Sequence, residues 1–276
     1  MRCSWLPFLL SLPSLAEAPK QNAAPVPQPR MVRVAEGSFQ AAVSTASNKQ
    51  EQAVSVAAFW MDRFPVTNGE FLAFVKEHPR WQRNRAPKLF VDEKYLSHWQ
   101  GPLNLGSEAE PEQPVVLVSW FSARAFCEAR QARLPTEIEW EYVASASETS
   151  RDARQDATWR KQILDWYSAP TPVRFAKVGR SVPNVYGVAD LHGLIWEWVL
   201  DFGSTMMSGD SRDTGGADRL LFCGAAAIGA GRKNDYASFM RYAFRSSLKA
   251  RYGSRNLGFR CVRNKAPKEA EKESYQ

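Results

Sequence analysis

Arg133-Leu-Pro-Thr-Glu-Ile-Glu-Trp-Glu-Tyr-Val-Ala144 contains a helix start that can be placed to the residue. Pro135 stops whatever precedes it, because its ring fixes φ and removes an amide donor. Thr136 and Glu139 then make a capping box, in which hydroxyl and carboxylate satisfy free amides of the first turn. Trp140, Val143 and Ala144 follow on one helical face and are predicted to point inward. Upstream, Ala123, Phe126 and Cys127 share a face after Ser119, with Ala129 at its edge, so another helix precedes Pro135. Thr67-Asn-Gly-Glu70 repeats the capping box, and Phe71, Phe74 and Val75 follow at helical spacing.

Strands are predicted where the period changes from helical to alternating. Met31-Val-Arg-Val-Ala-Glu-Gly-Ser-Phe39 alternates apolar and polar positions and reads as one opening strand, and Phe59 to Phe64 reads likewise. Beyond residue 150 the sequence is rich in Gly, Ser, Arg and aromatics, and no long regular element is predicted there. Ala176–Val178 and Gly258–Val262 read as short strand pieces. Helices followed by a loop-rich, short-stranded half predict an α+β domain with a largely irregular surface.

The ends differ from this body. One basic residue, Arg2, an apolar run from Trp5 to Leu15 and Ala16-Glu17-Ala18 fit a secretory signal peptide, 1–18, cleaved near Ala18. Such a leader predicts a periplasmic or secreted protein, and no later stretch is apolar enough for a membrane span. Residues 19–30 read as a Pro-rich linker, 31–264 as one domain and 265–276 as a charged, disordered tail. The net charge of +7 is not gathered into basic runs interleaved with stacking aromatics, which argues against a nucleic-acid partner.

Five segments in fixed order carry a family resemblance. They are Phe64-Pro-Val-Thr-Asn68, Pro114-Val-Val-Leu-Val-Ser-Trp120, Leu134–Glu141, Gly193-Leu-Ile-Trp-Glu-Trp198 and Asn256-Leu-Gly-Phe-Arg-Cys261. Together, over roughly residues 31–264, they resemble the formylglycine-generating enzymes, also called sulfatase-modifying factors. The resemblance implies a variant of the C-type-lectin-like fold with little regular secondary structure.

Of four cysteines, Cys3 leaves with the leader, and Cys127, Cys223 and Cys261 remain. In an oxidising compartment that count gives one bridge and one thiol, and the residues alone allow three pairings. The resemblance implies Cys127–Cys261. It also implies a Cu(I) centre built from two nearby thiolates after a Gly-Gly-Ser turn, a soft ligand set suited to Cu(I). Here the corresponding turn begins Phe222-Cys-Gly-Ala225, and no cysteine follows from 224 to 260, so the dithiolate is absent. Formylglycine synthesis of the usual kind is therefore not expected. Cys223 borders that turn, either as a packed small hydrophobe or in a redox role, and Met206, Met207 and Met240 are thioethers in the same half.

The resemblance assigns further residues. It places Ca2+ at the Trp-Glu-Trp segment through Glu197 and the carbonyls of Gly193, His192 and Ile195, a hard-oxygen set. The competing reading of Glu197 is a carboxylate paired with an arginine. Trp198 matches a cleft tryptophan, or else packs in the core. Arg245 and Ser246 match an Arg-Ser pair at the cleft floor, where the guanidinium holds an anion or else makes a salt bridge. His78, His98 and His192 lie in no iron-ligand pattern, and Asp190, Asp201, Asp210 and Asp213 have no acid–base spacing.

The expectation is an extracytoplasmic accessory or maturation factor acting on a periplasmic protein, a peptide or a small redox substrate. If it is an enzyme, it is an O2-dependent oxidoreductase with an altered centre. The alternative is a non-catalytic module binding a peptide or glycan.

Overall fold

Thr67 and Thr136 start their helices by the capping boxes that the sequence announces. A computed structural model describes residues 30–40, 53–202 and 236–266. The Thr67 and Thr136 hydroxyls accept from Glu70 N and Glu139 N, and each cap amide donates in return to the same glutamate's carboxylate. Helices α1 (Asn68–Glu77), α2 (Trp120–Ala129) and α3 (Glu137–Ala144) follow, α2 capped by Ser119.

Seven short strands are described. They are β1 (Met31–Val34), β2 (Gly37–Gln40), β3 (Ala53–Val56), β4 (Phe59–Asp62), β5 (Trp196–Glu197), β6 (Leu257–Gly258) and β7 (Val262–Arg263). β1, β4 and β7 form an antiparallel sheet in that order, β2 and β3 a hairpin, and β5 and β6 a parallel pair. The single opening strand expected over 31–39 is thus two strands belonging to different sheets. Ala35 and Glu36 interrupt it, and Gly37 lies against the Tyr142 ring, where a side chain would collide.

The loop-rich second half needs a correction. Helix α4 (Ala157–Ser168) has 12 residues and α5 (Tyr236–Ser246) has 11, where no long regular element was expected. Asp156 caps α4 by accepting from Thr158 N and Trp159 N, but Ile163 is its one buried residue, so no apolar stripe marked it. Ala176–Val178 forms no strand, and Gly258–Val262 is split between β6 and β7.

Two apolar clusters flank the main sheet. One gathers Phe71, Phe74, Phe126, Phe259, Trp99 and Trp198 around a Cys127–Cys261 disulfide, as the resemblance implied. The other joins Val34, Phe59, Met61, Trp140 and Val143. Asp62 anchors the strand between them: its carboxylate takes Arg130 at 3.0 and 3.2 Å, Arg30 at 3.3 Å and Cys261 N at 3.0 Å. Burial alone would raise this carboxyl, yet the Arg130 and Arg30 charges and these hydrogen bonds hold it below its usual value of 3.8.

Gly258 shows how closely β6 approaches its neighbours. A Cβ there would fall inside the contact distance of the Val115 carbonyl and 2.7 Å from Ile195 Cδ1. Backbone cannot swing aside as a flexible side chain does. Gly258→Ala is expected to cost about 2–3 kcal/mol, seen as a lower urea midpoint at unchanged slope. An unshifted midpoint would show that Val115 gives way freely.

Candidate functional site

Strand β5 presents Trp196 and Glu197 to opposite sides, as a strand must, and ends before Trp198. Glu197 and Trp198 point into the protein. Both Glu197 oxygens accept from Arg260, Nε to Oε2 and Nη2 to Oε1 at 2.8 Å each, and Trp140 Nε1 adds a bond to Oε2 at 2.7 Å. Arg260 spends its other donors on the carbonyls of Asp62, Arg63 and Ala189. This is the arginine-paired reading of Glu197. A carboxylate with matched charge and both oxygens engaged is not arranged to ligate Ca2+, so the side chain expected to bring charge to a calcium site does not fit one.

Trp198 is fully buried and donates from Nε1 to Val118 O at 3.0 Å, packing edge-on to Phe202. The structure therefore gives it a core position rather than a cleft wall. Trp196 faces the other way, half-buried, stacked on Trp166 and Tyr167 of α4 and against Phe244 of α5.

Arg245 is also buried, 1% exposed, so it is not free to meet an external anion. Its Nη1 donates to Glu137 at 2.6 Å and Glu141 at 3.2 Å, and its guanidinium lies 4.3 Å above the Trp140 ring. One turn earlier, Arg241 grips Glu141 with two bonds of 2.7 and 2.6 Å and also donates to Tyr167. Two acids four residues apart on α3 thus meet two arginines four residues apart on α5. Ser246 back-bonds to Ala243 O and points away from the pair. Burial pushes the Glu137 carboxyl up to about 7, against the pull of Arg245, while the two arginines hold Glu141 below its usual value despite its own burial.

The histidines stay apart. His78 stacks on Phe74, His98 faces Asn68, and His192 sits edge-on to Trp140 and Trp159 with Nε2 2.8 Å from Ala144 O. Among the described residues no three His, Cys, Asp or Glu side chains are placed to hold a metal. Asp190 accepts from Gly179 N and Ser181 N, and Asp201 from Glu137 N, so each serves a loop or a helix start. Asp210, Asp213, Cys223, Met206 and Met207 lie outside the described residues.

A pH effect follows from two of these histidines. Burial, with Arg255 and Arg83 nearby, lowers His98 to about 4, and burial with Arg241 nearby lowers His192 to about 3. Both folded values lie below the unfolded 6.5, so their stabilising contribution is full above pH 6.5 and is lost as pH falls toward 4 and 3. Glu137, raised from 4.5 to about 7, works in the opposite sense between those values. The histidine share is therefore read as a difference: between pH 6.5 and 4, His98→Asn/His192→Asn should lose stability more slowly than the parent, by up to about 2–3 kcal/mol per pH unit in urea titrations. Parallel curves would mean that one or both rings protonate without cost.

The surface offers a groove the sequence did not announce. A concavity of about 570 Å3 runs past Lys94, Thr171, Val173, Tyr252, Arg255 and Asn256. Its outer wall is the extended segment after α4, and Asn256 Nδ2 donates to Thr171 Oγ1 across it. Val173 is 78% exposed and Tyr252 46%, so the groove offers apolar contact beside basic groups. The Pro170-Thr-Pro172 run was the one local hint of an extended strap.

Residues 16–265 match the sulfatase-modifying factor enzyme 1-like domain. The chain belongs to this family. A formylglycine-generating enzyme of Streptomyces coelicolor is 29% identical over 257 residues, covering 76% of this chain and 79% of that protein. The inactive C-alpha-formylglycine-generating enzyme 2 of Mus musculus is 27% identical over 296 residues, covering 92% and 90% respectively. The solved structure of PvdO from Pseudomonas aeruginosa aligns with TM-score 0.46 and 19% identity over 85% of this chain and 94% of that one. The α+β reading with modest regular structure is thus the fold of a sulfatase-modifying-factor domain.

Proposed function

We propose that this sulfatase-modifying-factor protein is an extracytoplasmic accessory or maturation factor that holds an extended peptide segment of a partner protein, without making formylglycine through a copper dithiolate. The cysteine arithmetic carries this reading. Cys127 and Cys261 are joined, which leaves Cys223 as the one thiol beyond the leader. One thiol per chain does not supply the soft pair that Cu(I) requires in the family's centre. Among the described residues, no helix is long and apolar enough to cross a membrane, which is compatible with release after cleavage near Ala18.

The groove of Lys94, Val173 and Tyr252 suits an extended segment with acidic and aliphatic side chains, since a strap of apolar and basic groups offers contact along a line. The test has two arms. The mature chain, given Cu(I), O2 and a cysteine-containing sulfatase peptide, is expected to yield no formylglycine by mass spectrometry; its formation would overturn the reading. On an array of extended acidic peptides, binding is expected to fall about tenfold in Lys94→Glu/Tyr252→Ala. Binding that ignores both substitutions would remove the groove from the proposal.

A second reading gives Cys223 a redox role of its own, since it borders the turn where family members carry their thiolates. O2 consumption lost in Cys223→Ala would favour it, and consumption that survives would exclude Cys223.

A further inference from the structure

Helix α2 and the turn before Val91 carry a surface that the groove does not use. Three aromatic rings run across it in a row: Phe90 stands 5.0 Å from Phe121, and Phe121 5.4 Å from Trp120. A guanidinium closes each end, Arg80 at 6.0 Å over Phe90 and Arg124 at 5.4 Å over Trp120. The rings pack against the core yet are only half-buried, so part of each stays open to solvent. Leu89 leads the row. Phe90 N donates to Pro87 O, which places Leu89 in a tight turn, and it is 75% exposed. A lone exposed leucine is ordinary, whereas one standing next to three part-open rings makes an apolar ridge.

The ridge lies in a basic field. Residues 76–94 hold six Lys or Arg against three acids, and residues 248–255 hold three and no acid. Trp120 N donates to Ala250 O, which sets Lys249 and Arg251 beside the start of α2. Arg80, Arg85, Lys88, Lys249 and Arg251 are exposed, and among the described residues none has a carboxylate at ion-pair distance. Of the acids nearby, Glu128 is taken by Arg124, and Asp92 accepts from the amides of Lys94 and Gly253, which leaves Glu77 and Glu93 exposed. An apolar tip, interfacial aromatics and long cationic side chains are the elements of a surface that rests on lipid headgroups. A protein-binding face concentrates its apolar area and keeps lysine from its centre. Here the apolar part is a narrow ridge among unpaired cations, which suits a sheet of diffuse negative charge.

We propose that this face seats the protein on an anionic phospholipid bilayer, Leu89 and the open edges of Phe90 and Phe121 entering the headgroup layer while Lys88, Lys249 and Arg251 meet lipid phosphates. Each such cation contributes about fivefold to binding near an anionic surface. The attachment is peripheral and reversible, since one leucine and two ring edges bury far less than a spanning helix.

The chain without residues 1–18, whose apolar run enters lipid by itself, is sedimented with phosphatidylcholine vesicles and with vesicles containing about 30% phosphatidylglycerol. Retention is expected on the anionic vesicles alone. Lys249→Ala/Arg251→Ala should weaken it about thirtyfold and Leu89→Ser about fivefold, both being exposed substitutions that leave the core intact. Arg33→Ala/Lys161→Ala, which removes as much positive charge from β1 and α4, should bind as the parent does within about twofold. No retention, equal retention on both vesicle types, retention that ignores either ridge variant, or equal weakening by Arg33→Ala/Lys161→Ala would overturn the proposal. Capture of a polyglutamate peptide in place of the anionic vesicles would overturn it too, and would make the face a docking site for an acidic protein.

Discussion

Arg245→Leu should destabilise the protein by about 3–5 kcal/mol, because it leaves the Glu137 carboxylate buried without its cation. Glu141 keeps Arg241 and suffers less. For a chain of this size the loss corresponds to a melting point lower by about 10 °C. The deficit should depend on pH with a defined sign. Glu137 is raised to about 7 with Arg245 in place, so its stabilising share is full below 4.5 and is lost as pH rises through about 7. Without the arginine the carboxyl rises further, so the variant should fall behind the parent more at pH 8 than at pH 5. Arg245→Leu/Glu137→Leu removes both partners and should recover at least half of the loss. A single variant that costs less than about 1 kcal/mol, or a deficit that is flat in pH, would show that water or another group takes over from the guanidinium.

Replacing the disulfide should have an effect of similar size through the other side of the folding equilibrium. Cys127 and Cys261 are 134 residues apart, and closing such a loop stabilises by about 4–5 kcal/mol on the chain-entropy model. Cys127→Ala/Cys261→Ala should therefore melt about 10 °C lower, with the native contacts of Phe126 and Phe259 retained. Both sulfurs lie in the core, so part of any loss is packing. Separating the two requires the parent under reducing conditions in mild urea: if its midpoint matches that of the double variant, the covalent link supplies the difference. A double variant within about 3 °C of the parent would sink the argument.

What could be read from the sequence is what is decided within a few residues. The capping boxes at Thr67 and Thr136 act over three positions, and both helices begin where their hydroxyls demand. The five ordered motifs carried the family and, through it, the Cys127–Cys261 bridge. What could not be read depends on partners far along the chain. Arg245 was marked for its guanidinium, yet its partner Glu137 stands 108 residues earlier and turns an anion holder into a structural bridge. Trp198 finds its acceptor, Val118 O, 80 residues away. Helix α4 escaped notice because it buries Ile163 alone and uses Trp166 and Tyr167 sideways against Trp196, which breaks the amphipathic period.

The Arg260 node has a consequence for how the chain acquires its structure. That one guanidinium reaches Asp62, Arg63, Ala189 and Glu197, so its contacts span up to 198 residues. β7, which completes the main sheet, and Cys261, which closes the bridge, follow within three residues of it. Until residues 260–263 have met the rest of the domain, Glu197 is a carboxylate without its cation and β4 lacks a neighbour. Folding dominated by such distant contacts is slow, because long loops must close before those contacts reward it.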